Sequence, residues 1–346
     1  MSSEIFLIEA NEKKLWNKFL DIIPQNKKDI YYFAEYVNLY KNKTCIPKCY
    51  IYKTEDNIFF YPFIKRKIFN TNYFDTITPY GYGGPIIKRY DEKFIQDALN
   101  NFCGLISENK VICEQIKFHP LLKNVDIFKG LTSYKIYASC KTVAINCNYE
   151  IDFMLSNIYK KSNKEKIRKI EKKNVNVHFS KEAKSIKLFE HIYNDNLKNI
   201  NANKKYFFDQ KYYKSILTNL KDNFFIANLE IDNEILATQM VLYYNNIGHT
   251  HLQGTTIKGK KLGVTNFLKH KVIAKAKELN IKLLNFGGGR TNDKNDSLLN
   301  FKKSFSNILL DFHIAEKIYN QEIYENLTAK KNKEIFYGYR NDNFIS

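Results

Sequence analysis

The fold class predicted by this sequence is α/β (α+β), with two similar units in tandem. Two observations lead there. The 346 residues exceed the roughly 250–300 at which a single hydrophobic core stops growing. Each half also repeats one order of patterns: two β-rich runs around a polar turn, a glycine-bearing loop, an amphipathic helix and a further strand.

In the first half the β-rich runs are CYIYKTEDNIFFYPFIKR, turning at Glu55, Asp56 and Asn57, which predicts a hairpin. TPYGYGGPII supplies the loop. Phe94, Ile95, Ala98, Leu99, Phe102 and Leu105 fall at spacings of three and four, so they line one face of a helix, and VICEQIKF follows as a strand. In the second half the hairpin is FFIANLEIDNEILATQMVLYY around Asp232 and Asn233. HLQGTTIKGKKLG is the loop, Val264, Leu268, Val272, Ala276 and Leu279 mark the helix, and IKLLNF is the closing strand. This parallel order predicts a duplicated unit. Between the halves, Leu155, Ile158, Tyr159, Ile167 and Ile170 predict one long helix with a Lys-rich outer face, and Ile186, Phe189, Tyr193, Leu197 and Ile200 predict another. The expected boundaries are 1–148, 149–320 and a helical or frayed tail, 321–346.

The formal charge of +19 and pI near 9.4 imply attraction to phosphorylated ligands, nucleic acid or anionic membrane surfaces without choosing among them. No run of about 18 apolar residues occurs, so no spanning helix is expected. The N-terminus lacks the apolar core of a secretory signal. A cytoplasmic protein, possible at the inner membrane face as a peripheral one, is the expectation. Six cysteines lack the C-x-x-C spacing of structural zinc sites, and although His249 and His251 have an H-x-H spacing, no acidic or cysteine partner lies nearby in sequence. No metal is expected.

Candidate chemistry concentrates between His249 and Phe305. Lys258, Lys260, Gly263, Val264 and Thr265 form a basic, glycine-bearing stretch before a helix, where orphan amides and the macrodipole suit a phosphate-bearing donor. In a purely structural reading Gly263 is only a left-handed turn. His249 and His251, two apart in a strand, share a face and are candidate proton acceptors, or a satisfied polar pair. Arg290, after three glycines, can clamp an anion or pair with Asp293 or Asp296. Lys302 is a second candidate for an anionic acceptor. In the first half, the loop Tyr80 to Pro85 is either a tight connection or an acceptor-binding wall.

The donor stretch resembles that of the GNAT acyltransferase superfamily, Q/R-x-x-G-x-G/A, with Lys260, Gly263 and Thr265 at its three positions; Thr265 departs from the small residue. YGYGGP, the IRK of Ile167 to Lys169, HLQGTT and NFGGGR…DSLLNFKKSF, taken in order, resemble the FemAB-like branch, peptidoglycan interpeptide-bridge aminoacyltransferases and their relatives. The resemblance covers nearly the whole chain. It implies two tandem GNAT-like domains, each a mixed, mostly antiparallel sheet flanked by helices. It implies acyl or aminoacyl transfer to an amine of a cell-envelope or surface-glycan precursor, from acyl-CoA, an acyl-carrier protein or aminoacyl-tRNA. Tyr80, Tyr82, Gly83, Gln253, Arg290 and Lys302 are then acceptor-binding candidates, and Lys258 to Thr265 donor-binding ones. Two alternatives stay open: a basic nucleic-acid-binding module using the Lys160 to Lys169 helix, and a non-catalytic GNAT scaffold.

Overall fold

The computed structural model describes residues 3–291, 293, 295–329 and 335–340. In chain order the elements are β1 (Glu4–Glu9), α1 (Lys13–Asp21), α2 (Ala34–Val37), β2 (Cys45–Lys53), β3 (Ile58–Lys67), β4 (Phe74–Ile77), β5 (Ile86–Ile87), α3 (Glu92–Glu108), β6 (Val111–Lys117) and β7 (Lys135–Asn146). They continue with α4 (Ile151–Phe153), α5 (Lys161–Glu171), β8 (Val175–Ser180), α6 (Ala183–Asn199), α7 (Gln210–Asn219), β9 (Phe224–Ile231), β10 (Glu234–Tyr244) and β11 (Ile247–Thr255). The last are α8 (Ile257–Leu262), α9 (Thr265–Glu278), β12 (Leu283–Gly288), α10 (Ser297–Lys303), β13 (Ile308–Ile318) and α11 (Gln321–Thr328).

Two compact units result, Met1–Ser139 with Phe312–Ser346, and Cys140–Asp311. Within the first, strands run β1-β2-β3-β4-β6-β13; within the second, β8-β9-β10-β11-β12-β7. The pairings match position by position. In each unit β4/β6 or β11/β12 is parallel and the other main pairs are antiparallel. A parallel pair needs a crossover helix; α3 supplies it in the first unit and α9 in the second. The sheets are therefore mixed and mostly antiparallel, and the fold is the duplicated one that the sequence predicts.

The units divide at 139/140 and 311/312, where the sequence suggested 148/149 and 320/321. Pairing explains the difference. Residues 142–146 of β7 pair with β12 in the second unit, whereas residues 314–318 of β13 return to β6 in the first. The strand that ends each repeat in sequence thus sits partly in the other repeat's sheet, an exchange that no local pattern reveals.

The periodic apolar sets became the cores. Phe94, Ile95, Ala98, Leu99 and Phe102 of α3 pack with Tyr50, Tyr61 and Phe63; Val264, Leu268, Val272 and Ala276 of α9 pack with Val241, Leu284 and Phe286. Each such side chain contributes about 1.5–3 kcal/mol by leaving water. The long helix expected from Leu155 to Ile170 is instead broken. Tyr159 is extended (φ −70°, ψ 141°), because its ring is drawn into the core against Phe305 and His270. The Lys160 amide then bonds to the Ser304 carbonyl, and Asn163 to the Ser304 hydroxyl.

Candidate functional site

The second unit contains a strand fork. Parallel β11 and β12 pair at Ile247–Leu283, Gly248–Leu284 and His249–Asn285, yet β11 continues to Thr255 and β12 to Gly288. Beyond His249 and Asn285 the two strands have no register pairs with each other among the described residues. Past that point the strands part, and side chains bond to the backbone there: Thr250 Oγ1 donates to the Asn285 carbonyl and Lys302 to that of Gly288. Just there β11 carries a bulge: Thr250 pairs with Val241 and Leu252 with Met240, so His251 is the extra residue. Bulges re-aim side chains and frequently sit beside active sites.

Several polar groups surround this fork. Asn285 is 1% exposed. Its Oδ1 accepts the Gly287 amide at 2.8 Å, which orients the side chain, and its Nδ2 is buried without a hydrogen-bond partner among the described residues. His249 is buried in register with Asn285. His251 is half-buried, with Nε2 2.5 Å from the Tyr212 hydroxyl; burial first, and then His249, push its pKa down to about 3. The imidazole is neutral near pH 7 and too weakly basic to take a proton from an ordinary ammonium group.

Beyond the fork lies a group of cations. Lys302 donates to the Gly288 carbonyl at 2.6 Å. Burial pushes its pKa down to about 8, even though Asp296 and Cys140 pull the other way. Lys269, 2% exposed, lies over the Phe286 ring at 4.8 Å; burial and then Lys302 hold its pKa well below the usual lysine value. Lys260 is lowered by partial burial and then by the Arg290 charge. The Arg290 amide, with those of Thr291 and Leu299, donates to Asp296. Led by the Leu299 contact, these bonds pull the Asp296 pKa down to about 2. Asp296 caps α10, whereas the Arg290 guanidinium forms no ion pair among the described residues.

The donor stretch differs from the expected loop. It is a short helix, α8, capped by the Thr256 side chain. Gly263 (φ 76°) ends it in the left-handed region, and the Gly263 and Val264 amides donate to the Gly259 carbonyl. Those two amides are occupied. The amides opening α9, at Thr265, Asn266 and Phe267, precede its first i→i−4 bond and receive no side-chain cap among the described residues. Lys258 is exposed and pairs with Glu234. Gln253 pairs in register with Gln239, whose buried Oε1 has no hydrogen-bond partner among the described residues.

In the first unit, the Tyr80–Pro85 loop packs inward. The Gly83 amide bonds to the Lys117 carbonyl, and its own carbonyl accepts from Tyr32 and Asn124. Tyr80 lends its carbonyl to the Tyr36 hydroxyl, and Tyr82 packs on Tyr31, His119 and Phe312. Both rings stay half-buried. A buried pair, Asp29 and His119 at 2.5 Å, had no signal in the sequence. His119 Nδ1 accepts the Leu122 amide, so Nε2 carries the proton toward Asp29 and neither ring nitrogen is left to act as a base. Lys160, Lys161, Lys166, Arg168 and Lys169 are exposed, and the opposite face of α5 is buried through Asn163, Ile167 and Ile170.

Residues 159–295 match the family model described as Acetyltransferase (GNAT) domain. The second unit carries a GNAT acyltransferase domain. In that domain the fork, the bulged strand and the α8–α9 junction lie in consecutive elements, β11 to β12. No curated protein matches the sequence. Among solved structures, FemX is similar over 93% of this chain and 99% of its own, with a TM-score of 0.73 at 12% identity. The C-terminal domain (DUF2156) of a putative lysylphosphatidylglycerol synthetase from Agrobacterium fabrum is similar over 91% and 93%, with a TM-score of 0.58 and 12% identity. A tandem GNAT protein from the clavulanic acid biosynthesis pathway is similar over 92% and 99%, with a TM-score of 0.55 and 5% identity. These likenesses concern fold, and they agree with the two GNAT-like units and the FemAB-like resemblance.

His249, His251, Arg290 and Lys302, candidates from the sequence, lie along or beside β11 and β12. Asn285, Tyr212 and Lys269, which the sequence did not single out, lie with them. Asn285 had a weak signal, a lone amide inside the apolar run IKLLNF.

Proposed function

We propose that the protein transfers an acyl or aminoacyl group from a phosphate-bearing activated donor to an amine on a cell-envelope or surface-glycan precursor. The observation that carries this reading is the fork beyond His249 and Asn285, with an oriented, unpartnered amide donor, Asn285 Nδ2, beside it. An extended donor chain enters between the two parting strands. Asn285 Nδ2 donates to the carbonyl oxygen as the amine attacks and negative charge develops. The α9 amides and the Lys260, Arg290 and Lys302 cations meet the donor's phosphates. Acyl-CoA, an acyl-carrier protein and aminoacyl-tRNA all share that chemistry. FemX and the lysylphosphatidylglycerol synthetase domain, as fold relatives, favour an aminoacyl donor and an envelope acceptor.

Little is asked of a general base. The attacking amine becomes an acidic ammonium once bonded to the carbonyl carbon, so its proton can pass through water to solvent or the leaving group, and alignment supplies most of the acceleration. Tyr80, Tyr82 and Gln253 are proposed acceptor contacts. The test is turnover of purified protein with alanyl-tRNA or acetyl-CoA and an amine-bearing muropeptide precursor, read by product mass. Asn285→Ala should lower kcat by about 10²-fold or more, as loss of an oxyanion donor does, with folding intact. An active Asn285→Ala enzyme would remove the assignment; nucleic-acid binding without acylated product from any donor would favour the binding-module alternative.

A further inference from the structure

Outside the fork, one thiol has an unusual neighbour. Cys103, on α3, is half-buried, and its Sγ lies 3.0 Å from Nζ of Lys317 on β13. Four of the other cysteines, Cys45, Cys49, Cys113 and Cys147, are buried, and none of the six is disulfide-bonded. Lys317 is held in place. Its ammonium lies 4.6 Å from the Tyr134 ring centroid and 5.4 Å from that of Tyr319, and cation–π attraction fixes such a head group. Those two tyrosines are themselves anchored, because both hydroxyls donate to the buried Glu114 carboxylate, as does that of Tyr61. Among the described residues Lys317 has no carboxylate within ion-pair distance, and its ammonium donates to the Cys103 sulfur.

We infer that Cys103 and Lys317 form a peroxide-sensitive nitrogen–sulfur cross-linking site. A thiol reacts with peroxide through its thiolate, which attacks a peroxide oxygen, and here an amine nitrogen stands 3.0 Å from the sulfur that is oxidised. Hydrogen peroxide oxidises the sulfur to a sulfenic acid and is itself reduced to water. The Lys317 amine, having lost a proton to solvent, then attacks that sulfur; the N–S bond forms, the S–O bond breaks, and the oxygen leaves as a second water. The protein loses one hydrogen from the thiol and one from the amine. A further equivalent of peroxide inserts an oxygen between nitrogen and sulfur and again releases water. Either product ties α3 to β13, two elements 214 positions apart at these residues, and closing so long a loop restricts the unfolded chain. The cross-linked protein should therefore melt at a higher temperature than the reduced one.

The experiment treats the full chain with hydrogen peroxide and follows intact mass and peptide maps before and after dithiothreitol. The expected result is a Cys103–Lys317 linked peptide lighter by two hydrogens, or heavier by one oxygen less two hydrogens. It should be reversed by thiol and absent from Cys103→Ser and Lys317→Gln proteins. A Cys103 that only gains oxygen, trapped equally by dimedone in wild type and Lys317→Gln, would overturn the inference. So would a Cys103 that peroxide leaves unmodified. The wild-type peptide map decides the matter even if a variant folds poorly.

Discussion

The Tyr212 hydroxyl and His251 Nε2 lie 2.5 Å apart, across the bulge that sets His251 out of register in β11. This contact fixes a ring whose charged form the fold disfavours. His251 is pushed down to about 3, by burial and then by His249; His270, against Tyr159, is pushed down to about 4, by burial and then by Lys271.

Both rings stay neutral in the folded protein while the unfolded chain protonates them below about pH 6.5. The unfolded state then binds more protons, so stability falls as pH drops from about 6.5 toward the two folded values. The urea midpoint should decline between about pH 7.5 and pH 5, and decline less in a His251→Gln, His270→Gln double variant. Equal declines would show that neither ring is held neutral.

The glycines of the donor stretch separate structural from ligand-facing demands. A Cβ on Gly259 would come within 2.4 Å of the Leu236 carbonyl oxygen, whereas one on Gly263 would meet open space at φ 76°. Gly263→Ala should cost about 1–2 kcal/mol, the left-handed penalty alone. Gly259→Ala should cost more, because backbone must move as well, adding about 1–3 kcal/mol. Thermal denaturation of the two variants checks the order, and a reversed order would mean that α8 does not press on β10.

Hairpins, crossover helices and the duplicated order were legible because each is a local pattern: alternation in FFIANLEI, and spacings of three and four from Val264 to Leu279. The strand exchange was not, since β13 pairs with β6 across some 200 residues and nothing in either strand names its partner. The site was half legible. Glycines and cations marked the ends of β11 and β12, but the chemistry of a buried group depends on what surrounds it. His251 reads as a base in sequence and becomes a poor one through burial. Gly263 reads either as a ligand contact or as a left-handed turn, and the second is what ends α8, a short helix standing where glycine and lysine suggested a loop.

Asp75 is completely buried between two guanidinium groups, Arg66 Nε at 2.7 Å and Arg340 Nε at 2.6 Å. The Tyr339 hydroxyl reaches the same carboxylate at 2.7 Å. One carboxylate thereby fastens residues 337–340 to β3 and β4. Replacing it by a neutral amide leaves buried Arg66 without a counter-charge, so Asp75→Asn should cost about 3–5 kcal/mol in urea unfolding. A loss below about 1 kcal/mol would indicate that water reaches the pair.

Lys302 links the site's electrostatics to pH. With its pKa pushed down to about 8 by burial, it is mostly charged at pH 7 and mostly neutral above about pH 9. If its ammonium meets an anionic group of donor or acceptor, kcat/KM should fall as pH rises through about 8, because the attractive charge is lost. Lys302→Arg keeps a charge at every accessible pH, so its profile should lack that fall, even if its absolute rate is lower. The competing expectation is a rate that rises with pH as the attacking amine of the acceptor deprotonates. Measuring both proteins with one donor and one acceptor separates the two, since the acceptor's titration is common to both and only the difference between profiles belongs to Lys302. Superimposable profiles would remove Lys302 from the binding of any anion.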